Sequence, residues 1–260
     1  MTKTCYPTTL TDEQWQQIKV HLPKPKKRGR PPVDRRHILN ALLYLIRAGC
    51  QWRMLPSDFG PWQTVYHYYR SWQREGHWVS IHDRLRAQVR QAAGKEVRPT
   101  AAILDSQTVR SADHTGETGF DAAKKTKGRK RHVLVDTLGL LLAVCVTPAS
   151  TPERSGARQL LGVALRWLGW LRCLWCDSGY CGPEFAAWVR TQRRNLSVEV
   201  VARRKGQRGF AVLPKRWIVE RTFGWFMKQR RLVRDYEVKT EHAEACVYIA
   251  MIGIMIRKLA

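Results

Sequence analysis

The order in which strand-like and helix-like segments follow one another after residue 98 restricts the architecture of this 260-residue chain more than any other feature. Residues 101–105 form a short apolar run, 132–136 alternate, and 140–147 are apolar again, with Thr137, Leu138 and Gly139 supplying a tight turn between the last two. This pattern predicts three strands, antiparallel neighbours. Residues 155–168 read as a helix, 171–176 as a fourth strand, 182–194 as a helix and 198–202 as a fifth strand; two closing helices cover 216–233 and 241–258. The result is a mixed five-stranded sheet with flanking helices, in which strands one and four are neighbours.

The first 98 residues have a different texture and are expected to form a separate, small all-helical domain, with residues 99–260 as the second domain. Thr11 can cap a helix over 12–22. The linker 23–32 is too rich in proline and charge to pack, and serves as a flexible tether or lies along a DNA backbone or groove. Ile38, Leu39, Leu42, Leu43 and Ile46 repeat at helical spacing, and Gly49 can stop that helix. A turn through Trp52, Pro56, Gly60 and Pro61 leads to a second helix over 63–75. Together they give a helix-turn-helix-like layout with a polar, aromatic and basic second helix. That helix is either a DNA reader or core; as a reader, it offers Arg70 and Arg74, one turn apart, to phosphates.

Charge points the same way. Lys and Arg number 46 against 21 Asp and Glu, a formal charge of +25, far more than solubility requires. A polyanion is the natural partner, bound in a salt-sensitive manner. The runs at 24–30, 124–131, 203–208 and 228–234 spread the charge over a broad surface. Six of the nine residues in 124–132 are Lys or Arg, and this segment is expected to clamp DNA near the active site through Lys127, Arg129, Lys130 and Arg131; the other reading is a solvated hairpin arm. Seven cysteines, without a signal peptide, fit a reduced cytoplasmic protein, and the Cys173/Cys176 pair lacks the further ligands of a zinc site. The apolar stretches at 138–146 and 246–256 fall short of the roughly 20 residues of a membrane span.

In so basic a chain, an acid at a strand end needs a reason. Asp105 is expected to close the first strand and Asp177 the fourth, side by side at their carboxyl ends, with Glu220 brought in from a facing helix. Converging carboxylates suit hard, oxygen-seeking cations such as Mg²⁺ or Mn²⁺. Two such ions roughly 3.5–4 Å apart would activate an attacking oxygen and stabilise a leaving one at phosphorus. The other reading of each acid is a simple pair with a nearby arginine. On a continuous helix over 216–233, Arg216, Glu220, Met227 and Arg231 share one sector beside a packing stripe of Val219, Phe223 and Phe226. Arg216 and Arg231 would then contact phosphates, with Lys228 on the flank, although Arg216 and Glu220 also have the spacing of an ordinary surface pair.

Four motifs carry a family resemblance: Ile103-Leu104-Asp105-Ser106-Gln107-Thr108-Val109, Lys127-Gly128-Arg129-Lys130-Arg131-His132 with Val135-Asp136-Thr137-Leu138-Gly139, Asp177-Ser178-Gly179-Tyr180, and Arg216-Trp217-Ile218-Val219-Glu220-Arg221-Thr222-Phe223-Gly224-Trp225. They resemble the DDE transposases of bacterial insertion sequences, in the IS-five group, over essentially the whole chain. Gly29-Arg30-Pro31-Pro32, the stretch Gly49-Cys50-Gln51-Trp52-Arg53-Met54-Leu55-Pro56, and Trp62-Gln63-Thr64-Val65-Tyr66 match that group's amino-terminal region.

The resemblance implies a ribonuclease-H-like catalytic domain, which is also the order of elements above, and a metal-binding trio of Asp105, Asp177 and Glu220. It maps the Arg and Glu of the Tyr-Arg-Glu-Lys signature to Arg216 and Glu220. Leu213 stands in the Tyr place and Met227 in the Lys place, with Lys228 one residue on; residues 148–157 are also altered, and no catalysis is assigned to Glu153 there. Function is then expected to be metal-dependent cleavage at insertion-sequence ends and strand transfer. Terminal inverted repeats and target DNA would be the partners, a dimer or higher oligomer would form on DNA, Arg30 would be among the contacts, and the setting would be the bacterial nucleoid. A structure-selective nuclease and a non-catalytic DNA-binding descendant of a transposase are the alternatives.

Overall fold

The structure is a computed structural model that describes residues 6–24, 33–113, 115–201 and 215–260. The chain forms two compact units: Met1–Lys95, Met227–Val233 and Glu241–Ala260 make the first, and Glu96–Phe226 with Arg234–Thr240 the second. The chain thus leaves the first unit after residue 95 and returns to it twice. The last helix, read above with the sheet, packs with the amino-terminal helices.

In the first unit, helix α1 (Asp12–Lys19) starts at a capping box, the Thr11 side chain accepting from the Gln14 N–H while Gln14 reaches back to the Thr11 backbone. Helix α2 (Arg35–Ala48) is capped by Asp34 and ends at Gly49 with φ 71°, as expected of a left-handed helix stop. It buries Ile38, Leu39, Leu42, Leu43 and Ile46. Helix α3 (Trp62–Arg74) is the aromatic one: Val65, Tyr69 and Trp72 are buried, whereas Arg70 and Arg74 are exposed. It therefore serves as core on one face and leaves its cations in solvent on the other. Helix α4 (His77–Ala92) completes the amino-terminal set.

The second unit holds the sheet. Strand β1 (Ala101–Arg110) pairs antiparallel with β3 (Thr126–Asp136) and parallel with β5 (Cys173–Cys176), which pairs parallel with β6 (Ser197–Val200). On its far side β3 carries β4 (Leu141–Pro148) and the short β2 (Gly119–Asp121). This is the expected mixed sheet plus one small strand. Helices α5 (Glu153–Ala164) and α6 (Pro183–Gln192) link the later strands. Leu160, Leu161, Phe185 and Val189 from these helices pack on Leu104, Leu134, Leu142 and Leu174 from the sheet in one cluster. Helix α7 (Trp217–Met227) is fixed to the β3–β4 turn, where Arg221 and the Thr222 hydroxyl donate to the carbonyls of Leu138 and Gly139 at 2.8 and 2.7 Å.

Two strands run further than their apolar runs suggested. Past Asp105, β1 continues through Ser106-Gln107-Thr108-Val109-Arg110, and β3 begins at Thr126, six residues before the alternating segment. Both extensions are polar, so apolar periodicity could not mark them. Nor is the helix expected over 216–233 continuous: α7 stops at Met227, a short helix α8 spans Arg230–Val233, and α9 (Thr240–Leu259) follows.

Candidate active site

Strand pairing explains how two distant acids converge. The parallel ladder between β1 and β5 ends at Leu104 and Cys176. Asp105 and Asp177 are the next residue on each strand, so they emerge together where pairing stops. Asp105 lies mid-strand rather than at a strand end, and the site is set by the end of β5. The Asp177 Oδ1 accepts from the Gly179 N–H at 2.8 Å and caps the turn that follows. Asp105 Oδ1 accepts from the Ser106 N–H at 2.7 Å. In each carboxylate the backbone therefore anchors one oxygen, and the second oxygen of Asp177 faces Arg216.

Arg216 lines that cleft with Asp105, Asp177 and Val219. Its guanidinium sits 3.4 Å from Asp177 Oδ2 and 3.6 Å from Glu220 Oε1, one turn along α7. The ordinary i,i+4 pair is thus present, but shared with Asp177. Lys215 is held beside it with its ammonium 3.8 Å from the centre of the Trp175 ring on β5. The Glu220 side chain is 61% exposed and meets Arg216 rather than the aspartates. Among the described residues, no three acidic, His or Cys side chains stand close enough together to hold a metal ion as arranged.

A further acid enters that the sequence reading left aside. Glu153, in the first turn of α5, accepts from the Ser106 hydroxyl at 3.0 Å, and Lys124 Nζ approaches it at 3.9 Å. A Cβ on Gly179 would fall 2.7 Å from Glu153 Oε2 and 3.0 Å from Asp177 Oδ1. The absence of a side chain there lets the two carboxylates approach across the glycine. The available signals were the scarcity of acids in so basic a chain and the place of Glu153 in a stretch that is commonly acid-rich in the resembling family.

Electrostatics follow from this crowding. The Asp105 carboxyl is pushed up to about 6, chiefly by burial, with the charges of Asp177 and Glu153 adding to the rise while the Ser106 N–H and Arg216 oppose it. The buried Tyr180 phenol is raised above the usual tyrosine range, first by burial and then by Asp105 and Glu153. Burial and negative charge therefore favour a compensating cation. The donors are all hard oxygens, the type that Mg²⁺ and Mn²⁺ select.

The expected DNA contacts divide sharply. Lys127 and Lys228 are exposed, as are Arg70 and Arg74. Arg129, Lys130 and Arg131 are 0%, 6% and 1% exposed, which corrects the clamp reading for these three. Arg129 donates to the carbonyls of Glu117, Glu237 and Val238 and lies 3.3 Å from Asp235; Lys130 pairs with Asp121 at 3.4 Å. These cations tie the fold together. Arg231 is likewise buried, donating to the Cys50 carbonyl at 2.7 Å and resting over Trp52. α7 ends at Met227, so Arg231, on α8, does not belong to the helix that carries Glu220. Arg30 and Leu213 lie outside the described residues.

Comparisons with known proteins agree with this architecture. Residues 10–82 match the family described as "Putative transposase of IS4/5 family", and residues 97–256 match "Transposase DDE domain". The chain is 34% identical over 109 residues to the "Insertion element IS402 uncharacterized 16.2 kDa protein" of Burkholderia cepacia, covering 39% of this chain and 73% of that one. It is 28% identical over 135 residues to the "Putative transposase for insertion sequence element IS402" of the same organism, covering 49% and 61%. A protein of Sinorhizobium fredii (strain NBRC 101917 / NGR234), "Uncharacterized protein y4sN", is 31% identical over 120 residues, 46% of this chain and 86% of that one. With a ribonuclease-H-like sheet that brings Asp105 and Asp177 together, and a family match over most of its length, the chain belongs to the DDE transposases of insertion sequences.

Proposed function

We propose that Asp105, Asp177 and Glu220 are the metal-binding trio of this transposase and hold two divalent ions, Mg²⁺ or Mn²⁺, against a DNA phosphate. The observation that carries the assignment is the emergence of Asp105 and Asp177 side by side where β5 stops pairing, with Arg216 joining Asp177 to Glu220. Bound ions supply activation of the attacking oxygen and stabilisation of the leaving one. The protein's own groups do the positioning. The Ser106 and Gly179 N–H groups fix one oxygen of each aspartate. Arg216, which stands between Asp177 and Glu220, would be placed to donate to the non-bridging phosphate oxygens. Glu153 holds the Ser106 hydroxyl and acts as a positioning residue.

Water and then a DNA 3′ hydroxyl would serve as nucleophiles at this one site, without a covalent enzyme intermediate. Terminal inverted repeats are read by the amino-terminal helical region within residues 1–98, through Arg70 and Arg74 on α3. Lys127 and Lys228 contribute further backbone contacts. Two ends must be cut together, so a dimer or higher oligomer assembles on DNA, in the bacterial cytoplasm at the nucleoid. No helix among the described residues is long and apolar enough to cross a membrane.

Labelled insertion-sequence ends incubated with a target plasmid test the proposal. Wild type should give cleaved and joined products, and Asp105→Ala, Asp177→Ala and Glu220→Ala should give neither. Cleavage without joining by the wild type would identify a nuclease instead, and wild-type rates in any of the three variants would remove that residue from the trio.

A further inference from the structure

A second cavity, about 570 Å³ in volume, opens at the other end of β1 and is lined by Arg110, Ser111, Phe120, Lys125, Lys127 and Arg234. All six belong to the sheet-bearing unit. The register sets Phe120 opposite Lys127 across β2–β3, so these two side chains share one face of the sheet, while Arg110, opposite Gly128, borders the cavity from the alternate set at the strand's end. Arg110, Lys125, Lys127 and Arg234 are exposed, and none is ion-paired to a carboxylate among the described residues. Among the described residues, Asp113 is the single acid on the lining.

Three features go beyond a solvated basic face. Phe120 is 56% exposed in the middle of these cations, although its ring gains nothing from water. The buried Ser111 hydroxyl has no hydrogen-bond partner among the described residues. Lys125, on the cavity lining, holds a left-handed backbone with φ 47°, a conformation that disfavours a side chain. Cations along a groove with an aromatic platform between them are the combination that binds unstacked nucleotides, because every base has a π-face and every linkage a phosphate. Duplex backbone alone needs charge, but neither the cavity nor the exposed ring.

We infer that this cavity is a binding site for an unpaired nucleotide of the DNA substrate, its base stacked on Phe120 and its phosphates held by Lys125, Lys127 and Arg234. Asp105 lies five residues before Arg110 on β1, so the site stands about 17 Å from the carboxylates at about 3.3 Å per residue. That span corresponds to about five base pairs of duplex. The inference takes its substrate from the transposase reading, but not its chemistry: it requires strand opening near the cut, and makes the enzyme bind single strands as well as duplex.

Fluorescence anisotropy with the full-length protein tests this, using labelled oligothymidine and a blunt duplex of equal length, without divalent metal. Phe120→Ala should weaken oligothymidine binding about 5- to 100-fold, the loss of one stacked base, and leave duplex binding within about twofold. Phe120→Trp should restore binding and show quenched emission when oligothymidine is added. Unchanged oligothymidine affinity in Phe120→Ala would overturn the site; so would equal losses on both probes in a variant with wild-type circular dichroism, which would make it a backbone grip only. Because no metal is present, failure of the acidic trio in cleavage assays leaves this result standing, and the reverse also holds.

Discussion

A guanidinium is among the costliest groups to bury, and Arg129 is fully buried with four oxygen partners around it. Removing one member of such a network strands the others, at about 3–5 kcal/mol. Arg129→Ala should therefore lower the unfolding free energy measured by urea titration by about that amount, while the folded fraction keeps its DNA affinity; an unchanged unfolding free energy with weakened DNA binding would restore the clamp role. His132 supplies a pH test. It is buried, contacts the Thr147 hydroxyl at 3.0 Å, and leaves no room for a Cβ on Gly156. Burial, then Lys130 and Lys124, lower its pKa to about 4 from 6.5. Between these values the unfolded chain binds the proton and the fold does not, so stability falls as pH drops from about 6.5 to 4. The loss is on the order of 3 kcal/mol. His132→Gln should flatten that limb of a stability-against-pH curve, and an unchanged slope would assign the titration elsewhere. Both residues sit in a run of cations that the sequence presents as surface, because burial of a charge depends on partners such as Asp235 that lie far away in the chain.

At the level of elements, what was legible and what was not divides along physical lines. Helix α2 could be read from its stripe and its Gly49 stop, and the strand order from apolar runs and the turn at Gly139. The polar halves of β1 and β3 could not, since a strand segment built of Ser, Gln, Thr, Lys and Arg has no hydrophobic signature even where it is buried. The end of α7 at Met227 was hidden as well, because residues 216–233 keep helical periodicity through the break. Missing the first turn of α5 mattered most, for it carries Glu153 into the site. As a positioning residue that orients Ser106 beside Asp105, Glu153 should act through cation affinity. Glu153→Gln is expected to raise the Mg²⁺ or Mn²⁺ concentration for half-maximal cleavage about 10- to 100-fold and to recover at saturating Mn²⁺. A lower maximal rate at unchanged metal demand would show instead that Glu153 touches the reacting groups.

Over the whole molecule, the decisive feature is that the chain does not divide at a single point. Helix α9 buries Ala243, Cys246, Val247, Ile249, Met251, Ile252, Met255 and Ile256, apolar nearly all round, as a helix at the centre of a core must be. Its partners lie more than 170 residues earlier: the Tyr69 hydroxyl donates to the His242 carbonyl at 2.6 Å, and Gly253 lies so near Leu43 that a Cβ would stand 2.7 Å from it. Sequence texture places a boundary near residue 98, where helices give way to strands, yet it carries no information about which earlier face a late apolar helix covers. The physical consequence can be measured. A fragment of residues 1–98 would expose the buried faces of α2, α3 and α4, and at about 25 cal/mol per Å² of uncovered apolar surface, roughly 600 Å² would offset even the upper end of a typical domain's net stability of about 5–15 kcal/mol. It should melt without cooperativity and bind a hydrophobic dye, whereas the fragment joined by a flexible linker to residues 240–260 should unfold in one sharp transition. A cooperative melt of 1–98 alone would mean that α9 is dispensable to the amino-terminal fold and that DNA reading can be separated from the rest of the chain at residue 98.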